Sequence, residues 1–219
     1  MQLCEKYRPG VWDEFIGQPK VLRRVRMMLD RPGFGEGGGE AFLITGPSGT
    51  GKTTLAQLIS RALGVQPGNA WNYLELDGDK CTAEAVRSLD DQTRAASMFS
   101  DEWRVIIVNE AHAITSRAVQ AWLTLLERLP ERWLVVFTTT EPADNKLFGN
   151  FSEQMLSRFA VLTFTNQGLA KDMASRAREI AQSEGLDGQP VQRYVRLVQD
   201  KHNNFRAVLQ AIYAGEMIE

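Results

Sequence analysis

The sequence predicts an α/β protein, a parallel sheet covered by helices, with a small helical domain behind it. Three observations carry that expectation. Short β-branched and aromatic runs alternate with amphipathic stretches, the pattern of a parallel sheet with right-handed crossovers. The first such run leads into the glycine-rich octet Gly46-Pro47-Ser48-Gly49-Thr50-Gly51-Lys52-Thr53, set between a strand and a helix. From Gln167 onward only helical periodicity remains. The expected division is residues 1–165 for the α/β domain and 166–219 for the helical one, the second lying at the short end of the usual domain range.

The elements follow in order. Glu5 to Pro9 (EKYRP) reads, from its residues alone, as a polar extended start. Residues 21–31 (VLRRVRMMLDR) read as a helix carrying Arg23, Arg24, Arg26 and Arg31, a solvated face being a simpler account than a local basic surface. Residues 33–39 (GFGEGGG) form a flexible connector. Strands are expected at 40–45, 71–76, 104–108, 133–139 and 161–164, each a short apolar or β-branched run. Helices are expected at 53–63, 82–97 and 117–129, the last with Val119, Trp122, Leu123, Leu126 and Leu129 on or near one face. Behind them come helices at 167–184, 190–199 and 204–217, with a break at 185–188.

A chain of 219 residues with 43% hydrophobic and 24% charged residues has the ordinary make-up of a globular protein with a sizeable core. No window approaches the roughly 18 apolar residues of a membrane span. The first residues are charged, with no apolar segment behind them, so no secretory leader is expected. Cys4 and Cys81 are too few for a metal cluster or a disulfide framework. A reduced, cytoplasmic setting is the expectation. A net charge of −2 argues against a generally basic nucleic-acid coat but leaves a local basic face open.

The octet fits G-x-x-x-x-G-K-[ST] in full, in the strand-to-helix context its mechanism needs. Gly46, Gly49 and Gly51 let backbone N–H groups curl around a phosphate, and the helix N-terminus adds its dipole. Lys52 can reach the β- and γ-phosphates, and the Thr53 hydroxyl can ligate Mg²⁺. The whole loop, with Pro47, Ser48, Thr50 and the following Thr54, is the candidate nucleotide-binding segment of a P-loop NTPase. A chance glycine-rich turn is the bland alternative. The later strand ends in VIIVNEAH, residues 105–112. At this tip a P-loop protein places an acid that holds the metal, and a following Glu polarises the attacking water. Asn109 stands in the first position and Glu110 in the second. The Asn carbonyl can accept a hydrogen bond from a metal-bound water but supplies no charge.

Together these residues resemble an AAA+ ATPase of the DNA polymerase clamp-loader group, similar to replication factor C small subunits and the bacterial gamma/tau subunit. EKYRP followed by Phe15-Ile16-Gly17-Gln18 resembles the family's adenine-binding segment, which implies base contacts from Tyr7, Arg8, Pro9, Ile16 and Gly17. Thr138-Thr139-Thr140-Glu141-Pro142 matches the sensor 1 position, which implies that Thr139 or Thr140 bonds the nucleophilic water or γ-phosphate; read alone, it is a β-propensity run. Leu156-Ser157-Arg158-Phe159 resembles the Ser-Arg-Cys motif, with Phe159 in the cysteine's place, which implies that Arg158 is an arginine finger acting on a neighbouring subunit. Asn203 to Leu209 is similar to the Gly-x-x-Arg-x-x-Leu stretch, making Arg206 sensor 2. The resemblance implies a strand order 5-1-4-3-2, a three-helix lid, ATP and Mg²⁺ as ligands, and a homo- or hetero-oligomer of AAA+ subunits acting on a sliding clamp and DNA.

Three departures stand beside it. No cysteine-rich zinc insertion separates Gly64 from Trp71, and residues 143–154 make a longer connection than the gamma/tau pattern. The given sequence ends at Glu219 without the clamp loaders' helical collar, which leaves two expectations, a truncated chain or a partner that supplies oligomerisation. Three functions are in view. The first is an ATPase whose hydrolysis resets an assembly, slow as a monomer because a finger supplied in trans is worth about 10³–10⁵ in rate. The second is an interaction module that binds ATP but scarcely hydrolyses it, which Asn109 supports. The third is a small-molecule P-loop kinase, which the sensor-like and lid-like motifs disfavour.

Overall fold

The computed structural model describes residues 2–96, 102–141 and 153–218. Its sheet has five strands, β1 (Glu40–Thr45), β2 (Tyr73–Asp77), β3 (Arg104–Asn109), β4 (Trp133–Thr139) and β5 (Ala160–Thr163). They lie in the order β2-β3-β4-β1-β5 with every pairing parallel, the expected order read from the other edge.

The sheet is buried on both faces, and its strands alternate between two cores as a period of two requires. Ala41, Leu43, Ile106, Val108, Val135 and Phe137 face one side. There they meet α4 (Ala83–Ala96) and α5 (Ser116–Glu127). Phe42, Ile44, Val105, Ile107, Leu134 and Val136 face the other, against α2 (Pro19–Leu29) and α3 (Lys52–Ala62). A third core holds α7 (Ala170–Ser183), α8 (Val191–Asp200) and α9 (Phe205–Tyr213) together.

The differences from expectation are local and physical. Residues 3–6 form a short helix, α1 (Leu3–Lys6), rather than an extended start. Leu3 is buried in the helical core beside α9, and the Glu5–Arg8 ion pair closes at 2.6 Å at i,i+3 spacing. β2 begins at Tyr73 because Trp71 stays 66% exposed, its ring over the Arg104 guanidinium. On α5 the buried place is taken by Leu125, with Leu123 only partly buried. A further short helix, α6 (Glu153–Leu156), precedes β5. Ser97 and residues 142–152, the latter making most of the expected connection to Arg158, lie outside the described residues.

The arginines of α2 form the solvated face expected of them. Arg23, Arg24 and Arg26 are exposed around the buried Val25, and Arg26 pairs with Asp13 at 3.2 Å. At the N-cap of α2, Gln18 is buried in a left-handed conformation (φ 55°). Its side chain clasps Thr165 at both ends, donating to the Thr165 carbonyl at 2.5 Å and accepting from its N–H at 3.2 Å. Among the described residues no helix is long and apolar enough to cross a membrane.

Candidate active site

The loop after β1 is built by sterics. A Cβ on Gly46 (φ 144°) would lie 2.6 Å from Phe164 Cβ and 2.8 Å from the Phe164 carbonyl, so a side chain has no room. Inside the loop the Thr50 hydroxyl donates to the Pro47 carbonyl at 2.7 Å. Lys52 folds back, its ammonium donating to the carbonyls of Gly46 and Pro47 at 2.8 and 2.9 Å. Burial holds the Lys52 pKa below the usual lysine value; the Glu110 carboxylate offsets part of this and the Arg206 charge adds to it.

At the end of β3, Asn109 Oδ1 accepts from the hydroxyls of Thr53 and Thr138 at 2.8 and 3.0 Å. Asn109 Nδ2 donates to Glu75 on β2 at 2.8 Å. Glu110 follows in a left-handed conformation (φ 50°), an uncommon one for a residue with a Cβ. Gly78 makes it possible, since a Cβ there would overlap the Glu110 carbonyl oxygen. His112 Nδ1 lies 3.5 Å from Glu110 Oε2 and 3.2 Å from Thr139 Oγ1. Period-two alternation along β4 thus sends Thr138 to Asn109 and Thr139 to His112, on opposite faces. Thr140 is half-buried just past the strand.

Both ends of the chain close over the loop. An open cleft of about 1000 Å³ is lined by Tyr7, Arg8, Pro9 and Ile16 from the N-terminal segment and by Glu110. Residues 48–54 of the phosphate loop form its floor, and Arg206 lines it from α9. The N-terminal segment is tied to the helical region: Lys6 and the Tyr7 hydroxyl each donate to Glu184 Oε1 at 2.5 Å. α9 starts against the loop, with the Phe205 N–H donating to the Gly49 carbonyl at 3.3 Å. Asn204 caps that helix, accepting from the Ala207 N–H at 3.1 Å.

Not every expected residue lines this cleft. Gly46 and Pro47 contribute the carbonyls that Lys52 grips. Gly17 instead packs against Leu169, which a Cβ there would meet at 2.6 Å. Arg158 lies elsewhere on the surface, paired with Glu127 of α5 at 3.1 Å. Its neighbour Phe159 is buried against Phe137, ring centroids 5.0 Å apart. Sequence reasoning missed Glu75, Thr138, His112 and Arg176, which lines the cleft from α7. The register pairing Val108 with Phe137 sets Asn109 beside Thr138, so the alternation of β4 carried that signal.

The donor set suits a magnesium ion shared with a nucleotide. Thr53 and Asn109 offer two neutral oxygens 2.8 Å apart beside the phosphate loop. Among the described residues no three His, Cys, Asp or Glu side chains converge on one point. Mg²⁺ does not need such a cage, since it commonly keeps several waters and takes other oxygens from phosphates.

Comparison with known proteins agrees with this geometry. Residues 42–167 match the ATPase family associated with various cellular activities (AAA). The chain is 31% identical over 163 residues to the DNA polymerase III subunit gamma/tau of Mycobacterium tuberculosis, covering 65% of this chain and 27% of that protein. It is 30% identical over 190 residues to the replication factor C small subunit of Halobacterium salinarum, covering 84% of this chain and 53% of that one. The chain therefore spans about half the length of the replication factor C subunits and about a quarter of gamma/tau. In fold it is similar to a variant of Thermotoga maritima RuvB, with a TM-score of 0.71 at 20% identity over 94% of this chain and 64% of that one. With more than half of its length matched, and with the glycine-rich loop, Glu110 and Arg206 of α9 around one cleft, the chain belongs to the AAA family of ATPases.

Proposed function

We propose that this chain is an ATP-binding and hydrolysing subunit of an oligomeric, clamp-loader-like machine acting in DNA replication or repair. The observation that supports this most is the convergence of the N-terminal segment, the phosphate loop, Glu110 and Arg206 on one cleft. The base would lie along Tyr7 to Pro9 and Ile16, and the phosphates along residues 48–54. Lys52 would exchange two loop carbonyls for phosphate oxygens, and Arg206 would reach the terminal phosphate from α9. Mg²⁺, held by Thr53 and Asn109, would supply charge neutralisation on the phosphates. Glu110 would orient the attacking water, with Thr139, whose hydroxyl meets the same His112 nitrogen as Glu110, and Thr140 proposed as the sensor.

Arg158 lies away from its own chain's cleft, as a residue acting on a neighbour would. The domains proposed are 1–165 for the α/β part and 166–219 for the lid. The partners proposed are further AAA+ subunits, with a sliding clamp and DNA as the objects handled. The relatives with clamp-loader names support this assignment.

The test is ATPase rate per subunit against protein concentration, with and without DNA. Low turnover at dilution that rises with assembly is expected, with Arg158→Ala removing the rise by about 10³–10⁵-fold. Saturable turnover in a dilute monomer, indifferent to Arg158→Ala, would sink the trans finger. Tight nucleotide binding without turnover at any concentration would leave an interaction module, and a phosphorylated acceptor molecule would make the chain a kinase.

A further inference from the structure

Glu75 lies on β2, one strand away from the catalytic tip, and none of the roles above employs it. Its Oε1 accepts from Asn109 Nδ2 at 2.8 Å. Its Oε2 accepts from the Tyr73 hydroxyl and from Gln57 Nε2, the latter at 3.2 Å. Both carboxylate oxygens are therefore engaged, and Gln57 belongs to α3, the helix that opens with Lys52. Burial, together with the bond to Glu75, pushes the Tyr73 pKa up, which keeps its hydroxyl a donor.

Which way round the Asn109 amide sits decides whether a carbonyl oxygen or an NH₂ group faces Thr53. The hydroxyls of Thr53 and Thr138 cannot choose, because a hydroxyl donates or accepts with equal ease. Glu75 can choose. An ionised carboxylate only accepts, so a reversed amide would set the Asn109 oxygen against a Glu75 oxygen at hydrogen-bond distance.

We propose that Glu75 is a positioning residue for the metal side of the site, holding the Asn109 amide nitrogen toward β2 so that its carbonyl oxygen stays with Thr53. This rests on the nucleotide and magnesium reading above. Glu75 acts through Asn109 alone, and that makes its effect depend on what stands at position 109. With an aspartate there, both outer atoms are oxygens and no orientation remains to be selected. Glu75 would then face a like charge and oppose the arrangement it now supports.

The experiment is a Mg²⁺ titration of the binding of a fluorescent, non-hydrolysable ATP analogue. It uses the parent, Glu75→Ala, Glu75→Gln, Asn109→Asp and the Asn109→Asp/Glu75→Ala double variant. In the parent background Glu75→Ala is expected to raise the half-saturating Mg²⁺ concentration by about tenfold, the size of one hydrogen bond to a charged group. Metal-free nucleotide binding is expected to hold, and Glu75→Gln to keep most of the effect, since its amide oxygen can still accept from Asn109. In the Asn109→Asp background, removing Glu75 is expected to leave Mg²⁺ affinity unchanged or improved. Equal weakening in both backgrounds would show a direct charge effect and overturn the proposal, as would no change in the parent.

A second measurement needs neither metal nor nucleotide. The Asn109 side-chain NH₂ resonance, assigned by its loss in Asn109→Asp, is expected to move in Glu75→Ala. If the parent binds no nucleotide, the functional reading fails on its own account and this resonance still decides the role of Glu75, an unmoved signal ruling it out.

Discussion

Asn204, the cap of α9, stands directly against Gly49 at the tip of the phosphate loop: a Cβ on Gly49 would overlap Asn204 Oδ1. The helical region therefore rests on the loop through a contact that only glycine permits. Gly49→Ala is expected to push the two apart and to weaken ATP binding about tenfold or more, roughly 1.4 kcal/mol. Adding Asn204→Ala should return only part of this, because the Gly49 backbone (φ 73°) remains strained for any L residue. Equilibrium binding of a fluorescent ATP analogue checks both, and parental affinity in Gly49→Ala would refute the contact's importance.

Lys52 should take up protons when nucleotide binds. Burial first, and Arg206 after it, hold its pKa below the ordinary lysine value in the free chain. Phosphate charge favours the ammonium and raises that pKa again. Between the two values, on the alkaline side, binding is then coupled to proton uptake. Calorimetric titrations at alkaline pH in buffers of different ionisation enthalpy should show this. The uptake should vanish near neutral pH, where the ammonium is protonated in both states. The same sign governs stability: the cost of the buried charge is present below the depressed value and fades as pH rises through it.

Gly78→Ala should impair hydrolysis while sparing nucleotide affinity. The added methyl group would press on the Glu110 carbonyl, in a backbone already left-handed there. A displacement on the order of 1 Å at Glu110, the group proposed to orient water, is expected to cost about a hundredfold in rate. Single-turnover ATPase assays beside binding measurements separate the two effects, and a loss of both together would show general unfolding instead.

The Lys6–Tyr7–Glu184 tie should make the N-terminal wall of the cleft sensitive to acid. Lys6 first, and then the Tyr7 hydroxyl, hold the Glu184 carboxyl below its usual range. Its contribution is therefore full above the ordinary carboxylate pKa and is lost as pH falls through the lowered one. Glu184→Gln should speed hydrogen exchange in residues 3–7 at neutral pH, with the parent converging on the variant in acid. A pH-independent difference would speak against this account.

Trp122 anchors α5 on the sheet, fully buried with its ring edge-on to Phe137 at 4.9 Å. Trp122→Ala should cost about 3–5 kcal/mol in urea unfolding.

The sheet was legible because its strands are short apolar runs in the right order around an octet that leaves little conformational choice. The lining of the cleft was legible where its residues fall in a contiguous motif, as at residues 48–53 and at Glu110. It was not legible where residues meet only across strands or between ends of the chain. Glu75 meets Asn109 through register, and Tyr7 meets Glu184 through packing. Nothing local marks either one. The start of the chain misled for the same reason: Leu3 is helical because a core assembled from the last fifty or so residues covers it.

The clasp of Gln18 on Thr165 has a mechanical consequence. Two hydrogen bonds fasten Thr165, two residues past β5, to the N-cap of α2, so Thr165 moves with the sheet that α2 covers. Next to it, Asn166 is bonded to the turn between α8 and α9, its carbonyl accepting from Asn203 Nδ2 at 2.7 Å. One peptide link thus separates a residue riveted to the sheet from one riveted to the helices. A swing of the helical region, as proposed for a lid, is expected to turn about that link, and Arg206, three residues beyond Asn203, would move with the helices.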